Sequence, residues 1–326
     1  MIRAGLIGRG MAGTVFHAPL LRATPGVELA AIAGSAEAPG LIASPDIDLV
    51  VIATPNTTHY ALATAALKAG KHVVIDKPFA VSAQEAEALI ALAEAQQRLL
   101  TVFHNRRWDG DFLTLEALVR SGRLGEIMLF EAHWDRLRPT IKQGWREVPA
   151  EGSGLLWDLG PHLIDQALKL FGTPDSLSAD IAVQREAAAV DDYFHLTLHY
   201  GRMRAVLSAS TLVADPRPRF DLHGSAGSFR KYGLDPQEAR LKAGEGVSEG
   251  MGREDEASHG TFTDAEGNRE TLPTVPGRYL SFYEAVAAAI RGEGPAPVDP
   301  ADALTGLRLI ELARISARTG QRLPFA

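Results

Sequence analysis

Lys77 follows the short apolar run His72-Val73-Val74-Ile75-Asp76 and stands immediately before Pro78. If that run is a buried strand, the lysine emerges at the carboxyl edge of the sheet, a position that points its ammonium toward a bound cofactor. A lysine in a solvated turn is the plainer reading of the same residue. A second set of candidates is Asp158, His162 and Asp165, within Gly154-Leu155-Leu156-Trp157-Asp158-Leu159-Gly160-Pro161-His162-Leu163-Ile164-Asp165. Their spacing predicts a helix starting near Asp158 and running to Phe171, before Gly172, with all three on one face. Two carboxylates flanking an imidazole orient the ring and raise its basicity, which suits removal of a hydroxyl proton. The plainer alternative makes Asp158 an N-cap, Asp165 a surface charge and His162 a hydrogen-bonded core residue.

Other residues carry weaker signals. His17 opens the first helix and His59 follows a turn at Asn56; each either lines a cofactor cleft or braces structure. His195 and His199 share one face of a strand but stand about 13 Å apart, too far to hold one ion. Cysteine is absent, which removes thiolate ligands, disulfides and thiol catalysis, and no metal site is expected. Trp134-Asp135-Arg136-Leu137-Arg138, Trp145-Arg146 and Lys231-Tyr232-Gly233 offer aromatic faces and forked donors suited to polyhydroxylated ligands, or an ordinary surface or interface.

These residues need a scaffold, and its clearest sign is Gly8-Arg9-Gly10-Met11-Ala12-Gly13, set between the apolar run Ala4 to Ile7 and a helix start. The spacing matches G-x-G-x-x-G, the strand, tight turn and helix N-terminus that receive a pyrophosphate. Strand patterns recur at Glu28 to Ala33, Asp48 to Ala53, His72 to Ile75 and Leu99 to His104, alternating with helices at 60–69 and 83–97. Ser82 and Glu85 form a capping box. Thr54-Pro55-Asn56 turns the chain at the carboxyl end of a buried strand, where open parallel sheets bind ligands. Between Ala33 and Asp48 the link is too short for the usual crossover helix and further strand. Either that unit is absent here, or the numbering runs across a gap.

After a helix at 112–120 the pattern changes to strands at 127–134, 176–184, 193–200, 204–210 and 219–224, more meander than crossover. The expected architecture is α/β: an N-terminal Rossmann dinucleotide-binding domain over residues 1–122 and a C-terminal α+β domain over 123–326 with a large open, mostly antiparallel sheet. The Gly/Glu/Ser-rich stretch from Gly244 to Asn268 is expected as a surface excursion. Helices are expected at 279–290 and from Asp299-Pro300 onward.

The 326 residues carry a formal net charge of −7, which disfavours nucleic acid and anionic membranes as partners. No apolar run approaches a membrane span and no signal peptide is visible at the N-terminus, so a cytoplasmic protein is expected.

The glycine turn, Ala53-Thr54-Pro55-Asn56, Asp76-Lys77-Pro78 and the Asp158-to-Asp165 segment together resemble the glucose-fructose oxidoreductase/inositol dehydrogenase (Gfo/Idh/MocA) family over essentially the whole length. Asp76 stands where that family usually has Glu. Within the family, His104 to Asp109, Tyr193 to Leu198 and Lys231-Tyr232-Gly233 are most similar to the NADP-dependent scyllo-inositol dehydrogenases. The resemblance implies hydride transfer between a nicotinamide and a ring carbon bearing a hydroxyl, in a cyclic polyol or sugar. It assigns His162 as proton acceptor, Lys77 as the group that steadies the alkoxide, and Asp158 as the residue that tunes the pair. Asn105, Arg106, Trp145, Asp165 and Tyr232 are the expected substrate contacts. The glycine turn, Ser35, Thr54, Pro55, Asn56, His59 and Lys77 are the expected cofactor contacts. The resemblance also implies a homodimer or homotetramer formed through the open sheet.

An NAD-selective site places Asp or Glu about 20 residues after the glycines. Here that region reads Ala33-Gly34-Ser35-Ala36. Ser35 and Arg9 offer donors to a 2′-phosphate, so NADP is expected, with Glu37 the residue that argues for NAD. Two other readings are a dehydrogenase or reductase of the same fold acting on another carbonyl or diol, and a non-catalytic dinucleotide sensor. Retention of both Lys77 and His162 argues against the sensor.

Overall fold

The computed structural model describes residues 1–141, 144 and 147–325. Trp145, one of the expected substrate contacts, lies outside the described residues. In chain order the first elements are β1 (Ile2–Ile7), α1 (Ala18–Ala23), β2 (Val27–Ala33), α2 (Ala38–Ala43), β3 (Leu49–Ile52), α3 (His59–Lys68), β4 (His72–Asp76), α4 (Ala83–Gln96) and β5 (Leu100–Phe103). Next come α5 (Gly110–Arg120), β6 (Ile127–Asp135), α6 (Leu155–Phe171), β7 (Ser176–Ala182), β8 (Tyr193–Tyr200), β9 (Met203–Ser210), β10 (Phe220–Gly224) and β11 (Gly227–Lys231). The last are α7 (Gln237–Lys242), β12 (Gly260–Asp264), β13 (Arg269–Leu272), α8 (Leu280–Ile290), α9 (Pro300–Thr319) and β14 (Leu323–Pro324).

The chain divides into two compact units that interleave in sequence. The first comprises residues 1–108, 236–251 and 278–307, and the second 109–235, 252–277 and 308–326. The boundary therefore falls at Trp108 rather than at 122, because Phe112 of α5 packs its ring near Phe220 of β10 in the second unit. Local pattern shows a helix at 112–120, which the structure starts at Gly110, but not which sheet it covers.

The first unit is built on a five-stranded parallel sheet ordered β2-β1-β3-β4-β5. Every residue of β3 is buried, as a central parallel strand covered on both faces requires. Ser82 accepts the Glu85 N–H at 3.2 Å to start α4. The short link after β2 is continuous and holds the brief helix α2, which carries the chain from β2 past β1 to β3. Among the described residues no further strand lies beyond β2 in this sheet, so the unit is shortened. Aromatic residues from far along the chain complete the core: Phe103 of β5 meets Phe282 of α8 with ring centroids 4.9 Å apart.

The second unit is a nine-stranded sheet ordered β13-β12-β11-β10-β6-β9-β8-β7-β14. All its ladders are antiparallel except β6 with β9. Helix α6 packs on one face of this sheet, on β6, β8 and β9. The stretch from Gly244 to Asn268 is not all surface excursion: it contains β12, whose Phe262 is buried. Strands β11 and β13 and helix α7 also escaped the sequence reading, being short and rich in charge. Among the described residues no helix is long and apolar enough to cross a membrane.

Candidate active site

In the first unit, β1 runs into the glycine turn. Gly8 has φ +132°, and a Cβ there would lie 2.2 Å from the Ala53 carbonyl oxygen. A Cβ on Gly13 would lie 2.1 Å from the Gly8 oxygen. Both positions are closed to any side chain. Around Gly10 the opposite holds, since nothing lies within 4 Å of where its Cβ would stand. Two glycines thus let backbone pack on backbone and the middle one leaves open space, the arrangement a pyrophosphate needs. The chain then enters a wide helical turn over Ala12–His17, in which the Ala18 N–H reaches back to the Gly13 carbonyl, before continuing as α1.

At the end of β2, the Gly34 N–H donates to Glu37 Oε2 at 2.7 Å, and Arg9 Nη2 pairs with the same oxygen at 2.7 Å. The Gly34 hydrogen bond and the Arg9 guanidinium hold the Glu37 carboxyl below its usual range. The residue that argued for NAD and one that argued for NADP are therefore bonded to each other.

At the end of β3, Thr54 and Thr58 share a hydroxyl contact of 2.6 Å and Asn56 is buried. His59 is completely buried, with Nε2 3.0 Å from the Thr54 carbonyl and Nδ1 2.9 Å from the Pro78 carbonyl. It joins the turn after β3 to the turn after β4. The structure makes it a brace between the two loops, which corrects its inclusion among the direct cofactor contacts. Burial depresses its basicity, with Asp76 opposing.

Lys77 is half-buried directly beyond β4, and the Lys77-Pro78 peptide is cis. Its N–H donates to Asp76 Oδ1 at 3.0 Å. Asp76 faces His17, whose Nε2 lies 3.6 Å away and whose Nδ1 is 2.6 Å from the Tyr283 hydroxyl. Burial pushes the Asp76 carboxyl up, but His17, Lys77 and His59 more than offset it and hold the group below its usual range. His17 is fully buried in this network, so its alternative as a brace is the one observed.

Arg106 is buried, donating from Nη1 to the Tyr279 hydroxyl at 2.6 Å and from Nη2 to Glu238. Burial raises the Glu238 carboxyl, yet Arg106 and Lys242 bring it down to about 2. This guanidinium is committed to a buried ion pair with α7, which corrects the expectation that it binds substrate. Asn105, beside it, is also buried.

In the second unit, α6 starts at Leu155, three residues before the expected Asp158. Asp191 anchors this start: the Leu155 N–H donates to its carbonyl at 2.8 Å and the Leu156 N–H to its Oδ2 at 2.7 Å. Asp158 consequently sits inside the first turn and is not the N-cap. His162 and Asp165 are buried, and Asp158 is half-buried. The His162 ring stacks on Trp134 of β6 with centroids 5.7 Å apart. Arg219 lies over the same indole at 5.0 Å and donates to Gln166 Oε1 at 2.6 Å. Trp134 thus packs on the imidazole, and Arg219 links the indole to Gln166; of these three only Trp134 is an aromatic candidate in the sequence, and nothing there marks the other two. Tyr232 is exposed at the end of β11, and Lys231 beside it is buried, paired with Glu254 at 3.1 Å. Lys231 is thus part of the structure and not a ligand donor.

Residues 35–104 match the description "Oxidoreductase family, NAD-binding Rossmann fold", and residues 116–325 match "Oxidoreductase family, C-terminal alpha/beta domain". The chain belongs to the Gfo/Idh/MocA oxidoreductase family. It is 48% identical to the uncharacterized oxidoreductase YdgJ of Escherichia coli K12, across 97% of this chain and 96% of that one. It is 38% identical to the scyllo-inositol 2-dehydrogenase (NADP(+)) IolW of Bacillus subtilis, across 97% and 94%. Among solved structures, a Yersinia pestis protein is 43% identical with a TM-score of 0.94, covering 100% of this chain and 97% of that one. As a member of this family the protein is an oxidoreductase with a nicotinamide dinucleotide cofactor, and the space at Gly10 fits a dinucleotide pyrophosphate.

Proposed function

We propose that the protein is an NADP-dependent dehydrogenase that moves a hydride between the cofactor and a hydroxyl-bearing ring carbon of a cyclic polyol or sugar of the inositol type. The observation that carries this reading is the joint presence of Lys77 at the carboxyl end of β4 and of Asp158, His162 and Asp165 on consecutive turns of α6. The name of the Bacillus subtilis relative supports both substrate class and cofactor.

A bound nicotinamide supplies the hydride acceptor for alcohol oxidation. The backbone of Gly8 to Gly13 would hold its pyrophosphate, Thr54, Pro55 and Asn56 would flank it, and Arg9 and Ser35 would hold the adenosine end. His162 accepts the hydroxyl proton, with its ring stacked on Trp134. Asp158, one turn earlier on α6, raises the basicity of that ring. The Lys77 ammonium stabilises the negative charge that develops on the substrate oxygen. Asp165 accepts a hydrogen bond from a neighbouring substrate hydroxyl, with Asn105, Trp145 and Tyr232 as further contacts. A cytoplasmic homodimer or homotetramer belongs to the same reading.

The test is the initial rate of nicotinamide reduction with scyllo-inositol, myo-inositol and glucose, using NADP and then NAD. Turnover of scyllo-inositol with NADP is expected. Lys77→Ala and His162→Ala should each lose about 100-fold or more in rate while still binding NADPH. Unchanged turnover in both variants removes the assignment. Tight NADPH binding without turnover of any of the three substrates favours the sensor or another substrate.

A further inference from the structure

Side chains alternate along β6: Phe130, Ala132 and Trp134 are buried, with Trp134 against His162 of α6, so Glu131 and His133 point to the opposite face of the sheet. The antiparallel register sets Glu131 directly across from Asp221 of β10. Like charges in such a pair repel. Arg230 of β11 relieves half of that, donating to Asp221 Oδ2 from Nε at 2.8 Å and from Nη2 at 2.6 Å. The other oxygen, Asp221 Oδ1, is buried and accepts no hydrogen bond, on a residue only 6% exposed.

His223 lies two residues along the same face of β10. Its Nε2 is 3.2 Å from Asp221 Oδ1 without forming a hydrogen bond to it. Its Nδ1 is 2.8 Å from Ser228 Oγ. When that nitrogen donates to the serine, the Nε2 lone pair is left directed at the carboxylates, which is how hydrogen-bonded partners orient metal-binding histidines. One donor atom each from Glu131, Asp221 and His223 fall within 4.8 Å of one another. Donors bound at about 2.1 Å to one ion stand roughly 3 to 3.5 Å apart, close to the histidine–aspartate separation.

We propose that Glu131, Asp221 and His223 form a binding site for one divalent transition-metal ion. The ion bridges β6 and β10, meets the buried Asp221 Oδ1 that accepts no hydrogen bond, and adds positive charge between the two facing carboxylates. An imidazole with carboxylates suits zinc better than magnesium, which prefers oxygen donors alone. The ligands come from two strands far apart in sequence, so spacing along the chain carries no sign of them. The site lies wholly in the second unit and does not depend on the proposed reaction.

The test uses the full chain, stripped with chelator, equilibrated with micromolar zinc and dialysed, then assayed for bound zinc and for its thermal midpoint. About one zinc per chain is expected, with a midpoint raised by about 5 °C or more at a hundredfold excess over the dissociation constant and little rise with magnesium. His223→Gln should abolish both effects. Glu131→Gln, at a partly exposed position, should weaken them without threatening the fold. Zinc retained equally by both variants would mean an adventitious ion only and overturn the site. A midpoint insensitive to zinc would overturn it too, leaving a plain histidine–aspartate ion pair.

Discussion

Arg9 and Glu37 show how one contact shapes an expectation about cofactor choice. The carboxylate that argues for NAD is held by the Gly34 N–H and by the guanidinium that argues for NADP. Both side chains are more than half exposed, so the pair itself adds little stability and is free to exchange partners. Arg9→Ala should raise KM for NADP several-fold and leave KM for NAD nearly unchanged, while Glu37→Gln should lower KM for NADP. Parallel shifts for both cofactors would show that neither residue discriminates.

His59 supports a pH prediction. Its basicity is depressed in the folded chain, chiefly by burial, so the unfolded chain binds this proton first on acidification. Stability from this group is fully present above its ordinary pKa of 6.5 and is lost as pH falls below that value. The urea midpoint should therefore drop between pH 7 and 5, and the drop should be shallower in His59→Gln although that variant starts less stable. An equal slope in both proteins would remove His59 as a source of acid sensitivity.

At the scale of elements, the glycine turn separates folding from binding. Gly8→Ala puts a Cβ against the Ala53 carbonyl at a φ of +132°, and should cost about 2 kcal/mol or more of stability. Gly10→Ala meets no atom of the protein, so its thermal midpoint should stay within a degree or two of the parent while dinucleotide affinity falls at least tenfold. Calorimetry with NADPH and thermal unfolding of both variants distinguish the two effects. Helix α6 shows a related division. Its face of Asp158, His162 and Asp165 follows from 3.6-residue periodicity, but its start is fixed by Asp191, a residue from outside the helix whose carboxylate receives the Leu156 N–H.

For the whole molecule, the main feature is that two units share the chain in alternating segments. The segment after Met251 returns to the second unit and is pinned there by Glu254, paired with Lys231 under nearly complete burial. Removing one partner of such a pair leaves a buried charge without its counter-ion. Glu254→Gln should cost about 3 kcal/mol in chemical unfolding, whereas the double change with Lys231→Met should recover part of that. A cost below 1 kcal/mol for the single variant would mean that the pair does not hold this segment.

The amino-acid order by itself determined the parallel and antiparallel halves, the glycine turn, the position of Lys77 after a buried strand and the shared face of His162 and Asp165. Those features rest on local periodicity and on glycines, which are read within a few neighbouring residues. Only the tertiary structure decided the residues whose meaning depends on distant partners. Arg106 became a buried partner of Glu238, and His59 and His17 became braces. The helix at 110–120 joined the second unit, and Glu131 met Asp221 and His223 across a ladder. The physical reason is common to all of them: burial and pairing are set by strand order and register, which join residues that are far apart in the sequence.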